Sequence, residues 1–109
     1  MKPLNFIFAL HSHQPVGNFE FVFEEAYQKA YLPFLEVLQE FPHIHTTLHI
    51  SGPLWDWLDE KHPEFYDLLK KFVKNEQIEL MGGAFYEPLI CSIPEEDAYN
   101  QILYMQNFF

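Results

Sequence analysis

The sequence predicts an α/β fold: a βαβαβα segment of a parallel (β/α) barrel or of a doubly wound sheet. Three observations carry that reading. A nearly continuous apolar run stands near the N-terminus, a strand with alternating polarity stands in the middle, and amphipathic helical patterns long enough to be crossovers lie between the strands. Such alternation implies parallel strands joined by right-handed crossovers. At 109 residues the chain is at most one domain, residues 1–109.

The run Leu4 to Leu10 reads as a first strand buried on both faces. It resembles a short signal peptide, but it is brief and leads straight into His11-Ser12-His13-Gln14, so a strand is the better reading. Residues His11 to Phe19 form a loop. From Val22 to Glu40, Val22, Phe23, Ala26, Ala30, Phe34, Leu35 and Leu38 recur at helical spacing, with an adjustment expected at Pro33. Ile44, Thr46, Leu48 and Ile50 then alternate with His45, Thr47 and His49, a second strand closed by Ser51-Gly52-Pro53. Pro53 suits the first turn of a helix reaching about Leu58. Another helix, Pro63 to Val73, carries Phe65, Leu68, Leu69 and Phe72 on one face. Gln77 to Met81 is a third short strand closed by Gly82-Gly83, and Pro94 to Phe109 returns to helical periodicity. That last pattern runs to Phe109 without a terminating Gly, Pro or basic turn, and a barrel needs roughly 200 residues or more. The expectation is therefore a segment of a larger protein.

Composition narrows the function. Sixteen acidic residues against six basic ones give a formal net charge of −10, which repels phosphate backbones and anionic membrane surfaces. Neither nucleic acid nor a membrane is expected as a partner, and no stretch approaches the ~20 apolar residues that span a bilayer. Cys91, the only cysteine, can form no internal disulfide and is expected to be a buried thiol. A soluble, cytoplasmic protein fits these features. Aromatic residues, 18% of the chain, are expected to lie mostly in the core.

Polar clusters follow or occupy each strand, where parallel α/β folds build their sites. In extended backbone His11 and His13 point the same way, so both imidazoles can face one pocket as partners for sugar hydroxyls or as metal ligands. His49 lies nearest the end of the second strand, yet a structural role is the better expectation, and His43 and His45 should face solvent. Glu79, between Ile78 and Leu80, would be buried in a sheet covered on both faces and would need donors, for which His11 or His13 are candidates. The glycines of Gly82-Gly83-Ala84-Phe85-Tyr86-Glu87-Pro88 let the backbone pass close to a ligand. Phe85 or Tyr86 then offers a ring to a sugar face, and Glu87 an acceptor.

His13-Gln14-Pro15 and Gly82-Gly83-Ala84-Phe85-Tyr86-Glu87-Pro88, in that order, resemble two sequence signatures of glycoside hydrolase family 57. Asn18-Phe19, Val22 through Tyr27, and Ser51-Gly52-Pro53-Leu54 are similar to its 4-α-glucanotransferase and α-amylase branch. The resemblance covers essentially the whole chain. It implies the start of a seven-stranded incomplete barrel acting on α-linked glucans with retention of configuration, through a Glu nucleophile and an Asp acid/base. Both of those carboxylates belong to later signatures, so no catalytic residue is assigned here. The resemblance and the loop chemistry together assign substrate binding to His11, His13, Gln14, Glu79, Phe85, Tyr86 and Glu87. The expected partner is an α-glucan or maltooligosaccharide, and neither a metal nor another cofactor is expected. Two alternatives stay open: a metal-dependent hydrolase of the deacetylase kind, using His11, His13 and a carboxylate, and a non-catalytic carbohydrate-binding module.

Overall fold

Strand β1 (Ala9–Ser12) opens the computed structural model, which describes residues 1–109. A long helix follows in three pieces: α1 (Glu20–Ala26), a π-helical turn (Tyr27–Tyr31) and α2 (Leu32–Glu40). Then come β2 (Thr46–Ile50), α3 (Gly52–Lys61), α4 (Pro63–Lys74), β3 (Ile78–Leu80) and α5 (Glu95–Met105). Short 3₁₀ turns cover Ile90–Ser92 and Gln106–Phe108.

The three strands are parallel in the order β1-β2-β3. Right-handed crossovers that always advance in one direction place every helix on the same face of the sheet, as in a barrel. A doubly wound sheet must instead reverse direction. Burial agrees. Thr46, Leu48, Ile50 and Ile78 are buried against helix residues, while Ala9, His11, Glu79 and Met81 on the opposite face are exposed. The core joins Leu48, Ile50 and Ile78 to Leu35 and Leu38 of α2, Leu54 and Leu58 of α3, and Phe65, Leu69 and Phe72 of α4. Each fully buried side chain of this size contributes roughly 1.5–3 kcal/mol.

The first strand departs from the sequence expectation. Leu4, Phe6 and Ile7 are exposed and lie outside β1. Ala9 pairs with Thr47, so the same register sets Leu4 to Phe8 largely against the loop of Pro42 to His45, which offers no ladder. An apolar run becomes a strand only where a neighbouring backbone accepts it. The aromatic expectation also holds only in part. Tyr27, Trp55, Phe65, Phe72 and Phe85 are buried, whereas Phe6, Phe19, Phe21, Tyr86 and Tyr99 are exposed. Cys91 is exposed rather than buried, because it sits on a surface 3₁₀ turn.

Pro33 produces the expected adjustment and gives it a form. Proline lacks the N–H for an i→i−4 bond, and its ring crowds the carbonyl four residues back. The helix answers with a wider turn just upstream, in which the Leu32 N–H donates to the Tyr27 carbonyl, five residues back.

The junction of α3 and α4 is tied to α1 by His62. Its Nε2 lies 2.8 Å from Glu24 Oε2 and its Nδ1 2.9 Å from Glu64 Oε1. Its ring stacks on Tyr27 at a centroid separation of 3.6 Å. The Tyr27 hydroxyl donates to Glu64 Oε1 at 3.1 Å. Burial alone would lower the His62 pKa, but the hydrogen bonds to Glu24 and Glu64 outweigh it and raise it above the ordinary 6.5. Burial, aided by Glu64, pushes the Tyr27 phenol up to about 12.

Candidate functional site

Register creates the site. His11 of β1 stands directly beside His49 of β2, and both imidazoles emerge from the face that the helices leave open. The rings stack with centroids 4.8 Å apart, and their Nδ1 atoms are 2.7 Å apart. His13, two residues beyond His11, leaves on the same side, with ring centroids 5.8 Å from it.

The loop after β3 supplies the carboxylate. Glu87 is hydrogen-bonded to His13 through its Oε2, while its Oε1 lies 3.2 Å from His11 Nε2 and 3.4 Å from His49 Nδ1. One carboxylate thus faces three histidines. Its backbone sits at φ 52°, and the Glu87 N–H donates to the Ala84 carbonyl at 3.1 Å. A left-handed conformation costs a residue other than glycine on the order of 1 kcal/mol, so the turn is held by its surroundings.

Gly52 is one of those surroundings. A Cβ there would fall 2.3 Å from the Phe85 ring and 2.5 Å from the Phe85 carbonyl oxygen, and the Gly52 N–H donates to that oxygen at 2.9 Å. The first turn of α3 can dock against the loop only without a side chain at this position. Gly83 passes close to His49 in the same way, since a Cβ would lie 3.1 Å from its Nε2.

On the other side, the His13-Gln14 loop is anchored to the π-turn. Gln14 Nε2 donates to the Tyr31 hydroxyl at 3.0 Å, its Oε1 accepts from Asn18 Nδ2 at 3.0 Å, and its backbone N–H reaches Ser51 Oγ at 3.2 Å. The Tyr31 hydroxyl donates to the His13 carbonyl at 3.3 Å. A π-turn beside a site is a frequent pairing, and this one carries Tyr31, whose hydroxyl bridges Gln14 and the His13 carbonyl.

Several expected site residues therefore take other places. Gln14 is buried with both ends of its amide engaged by protein, so it braces the loop instead of facing a ligand. Phe85 is 1% exposed and packs against Tyr104 and Phe108, leaving Tyr86, 57% exposed, as the ring on the surface. Glu79 is exposed and pairs in register with Thr47, one row behind the His11–His49 row. Rows on one face are two residues apart, ~6.6 Å, and Glu79 makes no hydrogen bond to His11 or His13. Its burial was expected from a sheet covered on both faces, and this face is open. His49 belongs to the cluster after all. Its signal in the sequence was position: like His11, it is the penultimate residue of its strand.

Electrostatically His49 resists an extra proton. Burial first, then the neighbouring His11, lowers the His49 pKa below 6.5, with Glu87 opposing. An arrangement of imidazoles and one carboxylate on an open face can bind hydroxyls, and the donor atoms of His11, His13 and Glu87 lie within 4.8 Å of one another, within reach of a shared cation.

Comparison with known proteins identifies the family. The family model for glycosyl hydrolase family 57 matches residues 7–109. This chain belongs to glycosyl hydrolase family 57. Within the family it is 51% identical over 105 residues to an α-amylase of Pyrococcus furiosus, covering 96% of this chain and 16% of that protein. It is 46% identical over 108 residues to a 4-α-glucanotransferase of Thermococcus litoralis, covering 99% of this chain and again 16% of the relative. The crystal structure of that glucanotransferase superposes with a TM-score of 0.96, over 99% of this chain and 17% of the other. The family 57 segment described here thus spans about one sixth of the length of the curated relatives it matches.

Proposed function

We propose that this chain supplies part of the sugar-binding surface of a retaining α-glucan-active enzyme of the α-amylase or 4-α-glucanotransferase kind, a cytoplasmic protein of carbohydrate metabolism. The observation that carries the proposal is the cluster of His11, His13 and His49 around Glu87 on the open face of a family 57 sheet. Relatives named α-amylase and 4-α-glucanotransferase support the substrate class. The roles of these groups are to bind and orient. Imidazole nitrogens meet sugar hydroxyls, Tyr86 offers a ring face, and Glu79, one row deeper on the same open face, offers a further acceptor. The Glu nucleophile and Asp acid/base of the family are assigned to no residue of this chain.

The test is kinetic, on the intact protein with maltooligosaccharide substrates. His13→Ala should raise KM by about tenfold or more, the loss of roughly 1.4 kcal/mol of binding. An unchanged KM would refute the reading.

A divalent-metal hydrolase is the second reading, favoured by one observation: the donor atoms of His11, His13 and Glu87 lie within 4.8 Å of one another. Two imidazoles and a carboxylate are a donor set that suits such an ion. It predicts that activity disappears on chelation and returns with added zinc, whereas the sugar-binding reading predicts no effect of chelator.

A further inference from the structure

We propose that Glu87 is the positioning residue of this site, leaving His13 Nε2 as the one uncommitted nitrogen of the His11–His13 pair and presenting it, unprotonated, to a sugar hydroxyl. The inference rests on the reading of the cluster as a sugar-binding surface and adds to it a direction for every proton.

The reasoning is an accounting of donors. An ionised carboxylate can only accept, so the nitrogens facing it carry hydrogen. His13 Nδ1–H therefore donates to Glu87 Oε2, and His11 carries its proton on Nε2, 3.2 Å from Oε1. A neutral His11 protonated on Nε2 has a bare Nδ1, which must accept across the 2.7 Å contact with His49 Nδ1. His49 is thereby the donor in that contact, in keeping with a half-buried imidazole that resists a second proton. The order runs from His49, which donates to His11, to the His11 Nε2 that faces Glu87 at ion-pair distance, while His13 donates to the carboxylate from the other side.

Both nitrogens of His11 face protein groups, Nδ1 the His49 ring and Nε2 the Glu87 carboxylate. His13 has one left: with hydrogen on Nδ1, its Nε2 is a lone-pair acceptor, has no protein partner, and belongs to a side chain 44% exposed. Glu87 itself is turned inward, its oxygens committed to histidines rather than to ligand. The left-handed backbone at φ 52° places the carboxylate there, which gives the loop a reason to hold an otherwise disfavoured conformation. The group that a ligand meets is then an acceptor, so the site selects a hydroxyl able to donate.

The experiment is ¹⁵N-detected NMR of the histidine rings in the intact protein, with maltooligosaccharide kinetics on Glu87→Gln and Glu87→Gly. Glutamine keeps the shape but replaces one acceptor by a donor. Glycine removes the carboxylate at a position whose φ favours it, so any loss it causes does not come from new backbone strain. The expected result is His13 protonated on Nδ1 in the parent, a shift toward the Nε2–H form in both variants, and a KM raised about tenfold with kcat changed far less. His13 protonated on Nε2 in the parent, or an unaltered tautomer in the variants, would overturn the assignment. If His13→Ala raises KM while both Glu87 variants leave KM unchanged, the sugar-binding reading stands and the positioning role falls. If His13→Ala is without effect, the sugar acceptor falls with that reading, and the tautomers alone report whether Glu87 orients the rings.

Discussion

The molecule holds two histidine–carboxylate clusters with inverted stoichiometry. At the open face of the sheet one carboxylate, Glu87, meets His11, His13 and His49. Under the helices one imidazole, His62, meets Glu24 and Glu64. Burial and the number of carboxylates together set the behaviour. Two acceptors around one ring hold its proton, so His62 titrates above 6.5. At the other cluster burial first, and then the neighbouring His11, lower the His49 pKa below 6.5 against the single opposing carboxylate. The His62 cluster ties helices together, whereas the Glu87 cluster, open to solvent, has capacity left for a ligand.

The difference can be attacked at several points. The largest effect is expected where His62 rests on the core. Tyr27→Ala removes a ring 2% exposed together with its stacking on His62, and should cost about 3–5 kcal/mol, read from the denaturant midpoint. Gly52→Ala should follow at about 3 kcal/mol, since its Cβ meets Phe85 backbone and ring. Unlike Tyr27→Ala, it should also impair glucan binding by displacing the loop that carries Glu87, which a stability-matched comparison of KM would reveal.

The pH dependence sharpens the contrast further. The raised pKa of His62 means that its contribution is complete below about 6.5 and is lost as pH rises through the folded-state value. The lowered values of Glu24 and Glu64 mean that theirs is present above about 4.5 and is lost as pH falls through their folded-state values. His49 has the opposite sign to His62: its neutral form is favoured on folding, so a penalty sets in as pH drops below 6.5. His62→Gln should lower the melting temperature at pH 6 by the equivalent of at most about 1 kcal/mol, and by less at pH 9, since the pair with Glu24 is partly exposed. His49→Gln should instead flatten the acid-side decline. The smallest effect is expected from Gly83→Ala, which requires a shift of a few tenths of an ångström in His49 and should leave the melting temperature nearly unchanged while weakening glucan binding measurably.

The alternation of elements was legible because each crossover carries its own amphipathic face: Phe65, Leu69 and Phe72 signal α4 without help from any other segment. Long-range register was not legible. Whether Leu4 belongs to a strand depends on what lies across from it, and the β1–β2 register, extended back, sets Pro42 there. The pairing of His11 with His49 is of the same kind: each is visible alone as a strand-end histidine, but their contact is a property of the ladder. Glu79 and Glu87 stand in other surroundings than expected for the same reason. A strand carboxylate appears committed by its neighbours Ile78 and Leu80, but the open face leaves it free, while a loop carboxylate at positive φ is fixed by Gly52 and Ala84, distant or silent in the local pattern. Gln14 announced itself through a motif, and only the structure shows that its amide is spent on Tyr31 and Asn18.

The wide turn upstream of Pro33 also gives one helix two duties. Phe23 and Tyr27 at or before its start and Leu35 and Leu38 beyond it all enter the core, so the helix keeps one buried face across the irregularity. The turn itself carries Tyr31, whose hydroxyl accepts from Gln14 and donates to the His13 carbonyl. A single element is thereby both a wall of the core and the clamp of the histidine loop.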